Sequence, residues 1–248
     1  MSVALAAQQA GHSFVGVLAR STGGQAAALL DCEALDWNNT DLPAADLALV
    51  AVSDDSISEV AHHLVERLSS PLVAHLSGAT SISVLEPLNI AHGSLHPLQS
   101  LPDAVTGSRA LVGTSMAVTA STPAAAHLLE GFAASIGCHT FSLSDDAKRF
   151  YHAGASAASN FVTTILALSH DLFAQADVDP SVALELTIES VRNAYKMGPQ
   201  AALTGPVARG DSETVAAQLA ASHAVSKQTG AMFATLVKAT AELAEKEA

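Results

Sequence analysis

The sequence is poor in several kinds of residue, and each scarcity excludes a class of protein. Its two cysteines, Cys32 and Cys138, lie far apart, so neither a disulfide framework nor a zinc site is indicated. Lysine and arginine number 11 against 24 aspartates and glutamates, and the chain has one tryptophan and two tyrosines. Nucleic-acid binding needs a basic surface and stacking rings, so we expect no nucleic-acid partner.

Long apolar runs and a leader segment are also missing. The longest apolar stretch, Phe161 to Leu168, contains threonines and is too short to span a bilayer. The first residues carry no positive charge of the kind that opens a signal peptide. With 49% apolar residues, the composition indicates a globular protein. We therefore expect no membrane partner and a reducing, cytoplasmic setting.

The amino-terminal part lacks the glycine turn of a nucleotide-binding βαβ unit. An alanine-rich helical segment comes first, followed by an extended run at 14–19. This order is typical of such a unit without its first strand and Gly-x-Gly-x-x-Gly turn. We expect that strand to belong between the segments 14–19 and 72–76, and its loss to rival the roughly 5–15 kcal/mol stability of a domain. The sequence thus predicts a functional start upstream of Met1, and leaves cofactor binding by the chain as given in doubt.

The remaining pattern predicts an α/β domain over 1–145 and an all-α domain over 146–248. In the first, apolar runs alternate with helical stretches, which predicts a doubly wound, Rossmann-like parallel sheet without its first strand. The predicted strands after the first run are 47–52, 72–76, 91–95, 111–118 and 139–143. In the second, helices begin near Asp145, Asp179, Asp211 and Ala231. Such alanine-rich helices would bury more against a copy of themselves, so we expect a homodimer.

The long first helix of this domain has two regular rows of side chains. Its apolar residues step by threes and fours and predict one buried face; they are Phe150, Gly154, Ala157, Phe161, Ile165, Leu168 and Leu172. His152, Ser156 and Asn160 recur every four residues and predict a polar row beside it. The neighbouring residues are alanines and serines rather than lysines and glutamates. This favours a row that faces a cleft over an ordinary solvated face.

Polar residues at predicted strand ends form the candidate cofactor site. Arg20, Ser21 and Thr22 follow the run at 14–19, where an arginine suits the 2′-phosphate of NADP. An ordinary surface arginine is the alternative. Ser53 and Asp54 follow the next strand, at a position close to the nicotinamide ribose in such folds, and Asp54 is also expected to cap a helix.

One more candidate cofactor residue and one candidate catalytic residue lie at the same predicted edge. Ser77, a candidate for cofactor binding, follows a strand there, and His96, a candidate catalytic residue, ends one; open α/β sheets bind ligands at this edge. Histidine is the side chain best suited to proton exchange near neutral pH, although a His-Pro pair in a loop can equally be structural. His92 and His96 are four residues apart in an extended segment, where this spacing does not bring them together, and the sequence supports no metal site.

Four segments, in order, resemble a known family. They are Ser77-Gly78-Ala79, Ser94 to Gln99, Tyr151-His152 with Ser159-Asn160, and Leu203 to Asp211. They resemble Rossmann-like proteins whose second half is the domain of unknown function 2520, distant relatives of ketopantoate reductase, pyrroline-5-carboxylate reductase and 3-hydroxyisobutyrate dehydrogenase. The resemblance covers nearly the whole chain. It implies an NADP-binding domain, a helical dimerisation domain like that of 6-phosphogluconate dehydrogenase, and a cleft between them.

The resemblance also implies an NADP-dependent oxidoreductase that reduces a small keto acid or imine, with ketopantoate the leading substrate. Related β-hydroxyacid dehydrogenases place a lysine four residues before the helix asparagine, as proton donor. Here that position is Ser156. His152 or His96 would then donate the proton, while Asn160 would hold the substrate oxygen.

Ser156, Thr204 and Arg209 are the candidate substrate-binding residues. The Arg209 guanidinium suits a substrate carboxylate, although a salt bridge to Asp211 is equally available. The absent glycine turn and the missing lysine favour an alternative function, a cofactor-free, non-catalytic dimer that binds a metabolite or a protein.

Overall fold

A computed structural model describes residues 1–21 and 23–245. The chain divides into two compact units, Met1–Ala157 and a second that begins at Ala158. The helices of the first unit are α1 (Ser2–Gln9), α2 (Gly23–Leu29), α3 (Ile57–Leu64), α4 (Ala104–Ala110), α5 (Pro123–Ser135) and α6 (Lys148–Ser156). Those of the second are α7 (Val162–Gln175), α8 (Leu184–Met197), α9 (Ser212–Val225) and α10 (Lys227–Glu245).

The strands of the first unit form two sheets. The smaller pairs β1 (Val17–Leu18) with β2 (Ala34–Leu35) in parallel. The larger contains, in chain order, β3 (Ala48–Val50), β4 (Leu72–His75), β5 (Ala91–Pro97), β6 (Ser115–Ala120) and β7 (His139–Ser142). The chain therefore has the predicted Rossmann-like α/β architecture followed by a helical region.

One strand pair departs from the predicted parallel sheet. β5 and β6 are antiparallel, whereas the other neighbours in the larger sheet are parallel. The Leu98 amide donates to the Ser115 carbonyl at 2.9 Å, directly after β5 and at the start of β6. The connection through α4 thus leaves and re-enters the sheet at the same end, so β6 runs antiparallel to β5 and no crossover is needed.

Helices cover both faces of the larger sheet, as the doubly wound prediction requires. Leu72 and Ala74 of β4 lie in one apolar core, with residues of α1 and α5. Val73, between them, lies in the other core with residues of α3. Because successive side chains of a strand point to opposite faces, β4 is buried from both sides.

The strand predicted between 14–19 and 72–76 cannot pair directly with β4. β4 is hydrogen-bonded to β3 on one side and to β5 on the other, so neither of its edges is open. Within the described residues, β3 is the strand that pairs on one side only at this end of the sheet, and β1 belongs to the separate sheet. The interruption of the sheet therefore lies outside β3.

The predicted helix boundaries of the second half are largely confirmed. Asp179 accepts a hydrogen bond from the Ser181 amide, and Asp211 one from the Thr214 amide, so both carboxylates cap helix starts. α8 ends before Gly198, whose φ of 89° is a left-handed value that glycine adopts readily. α10 begins at Lys227, earlier than the predicted Ala231. No helix of the described residues is long and apolar enough to cross a bilayer.

The buried face predicted for the long helix is wrong for most of its residues. Phe150, Phe161 and Ile165 are exposed, Phe161 at 61%, whereas Leu168 is buried. A π-helical turn, Ala157–Phe161, separates α6 from α7. Such a turn inserts one residue into the helical repeat. The four-residue spacing from Ser156 to Asn160 therefore does not continue the row that His152 and Ser156 begin.

Candidate active site

Side chains at the carboxyl ends of β3 and β4 meet in a hydrogen-bonded turn. The Ser77 hydroxyl lies 2.6 Å from Oδ2 of Asp54 and 3.0 Å from the Thr80 hydroxyl. It also accepts hydrogen bonds from the amides of Ala79 and Thr80. Asp54 does not cap a helix as predicted, since its carboxylate is directed to Ser77. Ser53 beside it bonds the Ser56 hydroxyl at 3.0 Å.

The turn after β4 lies against the His96 ring at the end of β5. A Cβ atom built on Gly78 would come within 2.8 Å of Cε1, Nδ1 and Nε2 of His96. Only a glycine allows the backbone to approach the imidazole this closely without displacing it. His96 itself is half-buried. The ring is thus fixed on one face while part of it stays accessible.

Two side chains of α6 reach β5 in register with two of its residues. Lys148 Nζ donates to the Ser94 hydroxyl at 2.6 Å and to the Ser77 carbonyl at 3.1 Å. One turn later, the Tyr151 hydroxyl lies 2.7 Å from Nδ1 of His96. Residues i and i+3 of a helix share a face, as do residues i and i+2 of a strand, so the two contacts are consecutive. We call this set, Lys148, Tyr151, Ser94 and His96, the α6–β5 ladder.

Burial and positive charge keep the His96 imidazole neutral. Burial lowers its pKa to about 4 from the ordinary 6.5; His152 and Lys148 contribute in the same direction, and Asp54 opposes them. The His152 ring centre is 6.0 Å from that of His96. His96 therefore meets a ligand at neutral pH as an uncharged ring with one N–H.

Lys148 and Tyr151 are also perturbed by burial. Lys148 is 1% exposed, and burial lowers its pKa to about 8 while Asp145 and Asp54 oppose the shift. Burial raises the pKa of the Tyr151 phenol, so the hydroxyl keeps its proton at neutral pH. A buried ammonium beside a protonated phenol and a neutral imidazole is an arrangement found at proton-transfer sites.

His75 adds a second neutral ring beneath this turn. It is fully buried in β4, and its Nδ1 lies 3.2 Å from the Ser77 amide, which donates to it. Burial, followed by the charge of Lys148, lowers its pKa to about 4. Its role is to support the turn, because it has no accessible surface with which to contact a ligand.

The residues predicted for the 2′-phosphate lie after β1. Arg20 is 55% exposed, with its guanidinium 3.2 Å from the Glu59 carboxylate and 5.7 Å from the centre of the Trp37 ring. An exposed ion pair of this kind is worth about 0–1 kcal/mol, so a phosphate can replace Glu59 at little cost. Ser21 is exposed beside it, and Thr22 lies outside the described residues.

The structure brings part of the predicted site together. Asp54, Ser77, His96 and His152 converge in the first unit, where Ser156 lies one turn after His152 and is half-buried. The remaining predicted residues, Asn160, Thr204 and Arg209, belong to the second unit and are exposed. The alternative salt bridge from Arg209 to Asp211 does not form among the described residues. The roles assigned to all these residues stay predictions.

Sequence reasoning missed Lys148 and Tyr151 as site residues. Lys148 stands beside Asp146 and Arg149 at a helix start, where a charge is normally solvated. The available signal was spacing, because Lys148, Tyr151 and His152 lie at i, i+3 and i+4 and so share one helix face. Over the described part of the chain, no group of three His, Cys, Asp or Glu side chains could hold a metal ion.

Solved structures share this fold at low sequence identity. A candidate NADP oxidoreductase from Bacteroides fragilis aligns with a TM-score of 0.81 at 21% identity, over 97% of this chain and 93% of its own. A Thermotoga maritima protein aligns with a TM-score of 0.69 at 23% identity, over 92% of this chain and 89% of its own. Plasmodium falciparum pyrroline carboxylate reductase, solved with NADP bound, gives 0.59 at 12% identity, over 97% and 93%. These likenesses establish the fold.

Family models match both halves of the sequence. A Rossmann-like domain model matches residues 1–102, and the model for a domain of unknown function, DUF2520, matches residues 114–240. No curated protein matches the chain. The second match covers more than half of the residues, and it includes the α6 residues that line the site. The chain therefore belongs to the DUF2520 family and carries a Rossmann-like domain ahead of it.

Proposed function

We propose that the protein is an NADP-dependent oxidoreductase that reduces the C=O bond of a small keto acid or the C=N bond of a small imine. The observation that carries this proposal is the set of His96, Tyr151 and the Ser77-Gly78 turn at the carboxyl edge of a Rossmann-like sheet. Open α/β sheets bind ligands at that edge. The structural neighbours support it, since one is a candidate NADP oxidoreductase and another was solved with NADP bound.

Residues at the strand ends offer candidate contacts for two parts of an NADP molecule. Arg20 and Ser21 would hold the 2′-phosphate, and Ser53, Asp54 and Ser77 would lie along the nicotinamide ribose. When bound, NADPH would supply the hydride that reduces the substrate carbon. The pyrophosphate is the exception, because the sequence contains no Gly-x-Gly-x-x-Gly turn and the sheet is interrupted outside β3.

Side chains of the first unit would supply the proton that the reduced substrate takes up. A neutral His96 ring, fixed by Gly78 and Tyr151, can donate its N–H to the substrate oxygen or nitrogen as negative charge develops there. His152, at 6.0 Å between ring centres, is the second candidate donor. Ser156 on the same helix would contact the substrate. Asn160, Thr204 and Arg209 remain proposed partners of the substrate oxygens.

Titration with NADPH tests this proposal directly. We expect calorimetry to detect NADPH binding, with NADH weaker and Arg20→Ala weakening NADPH by about tenfold or more through loss of a charge-assisted phosphate contact. Arg109→Ala, which removes an exposed arginine of α4, is the matched control. Oxidation of NADPH is then followed with a panel of small keto acids and cyclic imines. The same titration on a chain extended at its amino end tests the predicted upstream start.

The interrupted sheet favours a second candidate, a dimer that binds a metabolite or protein without a cofactor. Its signature is the absence of any calorimetric or thermal response to NADPH in both the chain as given and the extended chain. That result would rule out the reductase. A response in the extended chain alone would keep the reductase and assign the pyrophosphate contacts to the added residues.

We also propose that the protein is a homodimer through its second unit. α8 has no buried residue, although it carries large apolar side chains, among them Leu184, Leu186 and Val191. Leu186 is 70% exposed. Leu184 and Val191 are seven residues apart and therefore share one face of α8, and exposed apolar side chains on one helix face favour an association site. A second copy is the occupant that supplies the same apolar helix in return, as a two-fold interface requires.

A further inference from the structure

We propose that the α6–β5 ladder is the proton-delivery device of the proposed reductase, with Tyr151 as a catalytic residue and Lys148 as its positioning residue. This inference rests on the proposed function. Neither residue is among those predicted from sequence. The ladder assigns them from two adjacent contacts, Lys148 to Ser94 and Tyr151 to His96.

The contact between Tyr151 and His96 allows a proton to pass between them. The Tyr151 phenol keeps its proton at neutral pH, and we assign its O–H as the donor to Nδ1 of His96 across 2.7 Å. A neutral imidazole whose Nδ1 accepts must carry its own proton on Nε2. Both side chains are half-buried rather than sealed, so the pair can contact a substrate and can exchange protons with water.

The transfer balances without a charged histidine. Bound NADPH would supply the hydride for the new C–H bond and would become NADP⁺, while the substrate π bond would break. The substrate oxygen or nitrogen takes the proton from Nε2 of His96, and Nδ1 takes the proton of the Tyr151 hydroxyl. The ring then carries its proton on Nδ1. Water supplies a proton to Nε2 while Nδ1 returns its proton to the phenolate, and the starting tautomer is restored.

Lys148 links α6 to β5, the two elements that carry Tyr151 and His96. Its ammonium group bonds Ser94 on β5 and the Ser77 carbonyl in the turn beneath His96. An apolar residue would fill the same space without the cost of burying a charge. Stability alone therefore does not explain a lysine here. Its charge also disfavours a proton on His96, together with His152 and against Asp54.

The charged and titratable groups that face the pair come from two places. α6 presents Lys148 and His152, and the segment after β3 presents Asp54. Removing Lys148 leaves the opposing carboxylate in place. The His96 pKa should then rise. The fall of kcat on the acid side of its pH profile (the acid limb) should move to higher pH for the same reason.

Steady-state kinetics of variants test the ladder in the full chain. We expect Tyr151→Phe to lower kcat by about 100-fold, the usual contribution of a positioned proton donor, with the KM for NADPH unchanged. Tyr195→Phe, at the other tyrosine of the chain and an exposed site, is the control. Lys148→Met should lower kcat by about tenfold and move the acid limb upward by about one pH unit, a shift that a purely structural role would not produce. Lys148→Arg should restore the acid limb, and Lys196→Met is the control at an exposed lysine.

The outcomes separate this inference from the proposed function. If neither the chain as given nor the extended chain binds or consumes NADPH, the proposed function fails, and the ladder's catalytic role fails with it. An active wild type whose Tyr151→Phe variant keeps its kcat overturns the ladder alone. NMR titration of the His96 ring adds a readout independent of substrate. A His96 pKa that does not change in Lys148→Met contradicts the role of Lys148, as does loss of the folded state in that variant together with Lys148→Arg.

Discussion

The two units of the protein depart from the usual distribution of residues in opposite ways. The first unit buries polar groups, among them Lys148, His75 and Ser94. The second exposes apolar groups, among them Leu184, Leu186 and Phe161. Buried charge and exposed apolar surface both reduce the stability of an isolated chain. This difference supports the two proposals, that the first unit carries the chemistry and that the second unit associates with a copy of itself.

The largest effect that we expect is loss of the dimer when the apolar surface of α8 becomes charged. The double variant Leu184→Glu/Val191→Glu should sediment as a monomer, because desolvating two carboxylates in an interface costs several kcal/mol. Val112→Glu, at a 72%-exposed apolar residue of the first unit, should leave the mass unchanged. A monomeric wild type, or a double variant that remains dimeric, contradicts the assignment of the second unit to association.

The next effect concerns the buried histidines of the first unit. In the folded protein the pKa values of His75 and His96 are lowered to about 4 from the ordinary 6.5. The unfolded chain therefore binds protons first as the pH falls. The histidine contribution to stability is complete above pH 6.5 and is lost toward pH 4, by up to about 2–3 kcal/mol for each ring.

Urea unfolding at a series of pH values measures this loss. His96→Asn should remove its share of the acid dependence, whereas His139→Asn, at an exposed histidine, should not change it. A free energy of unfolding that stays constant between pH 6.5 and pH 4 would mean that both rings protonate freely in the folded state, contrary to the neutral site described above.

A smaller effect is expected from filling the space between the turn and His96. In Gly78→Ala the new Cβ would meet the ring within 2.8 Å. The ring is also bonded to Tyr151, so the clash should destabilise the fold by about 1–3 kcal/mol and disorder the ladder. Gly154→Ala is the matched control, because its Cβ would meet nothing within 4 Å and alanine favours a helix. Equal stability of the two variants would show that the close approach at Gly78 is not tightly packed.

Local sequence patterns predicted the elements, and long-range pairing decided the rest. The run at 72–76 was correctly assigned because a continuous apolar segment bounded by turn residues is typical of a central strand. The start of β6 was misplaced because Leu111 ends α4 and Gly113, at a φ of 78°, turns the chain before the strand begins. The antiparallel direction of β6 depends on where its connection returns, which no local pattern records.

The candidate site shows the same division. His96 and Ser77 could be predicted as neighbours because strand ends can be recognised from sequence, and the structure places the Ser77-Gly78 turn against the His96 ring. Lys148 looked like a solvated charge, since its burial depends on the register between α6 and β5. A four-residue periodicity assumes a regular α-helix and cannot predict the π turn at Ala157–Phe161. That turn displaces Asn160 from its predicted row.

A crystal structure of the protein with NADPH and a substrate analogue bound would decide whether this edge of the sheet is the active site. We predict the nicotinamide ring beside the Ser77-Gly78 turn, with Nε2 of His96 at a hydrogen-bond distance of about 3 Å from the analogue's oxygen or nitrogen. Nicotinamide bound away from the carboxyl ends of β3, β4 and β5, or a His96 ring that contacts no ligand atom, would contradict it.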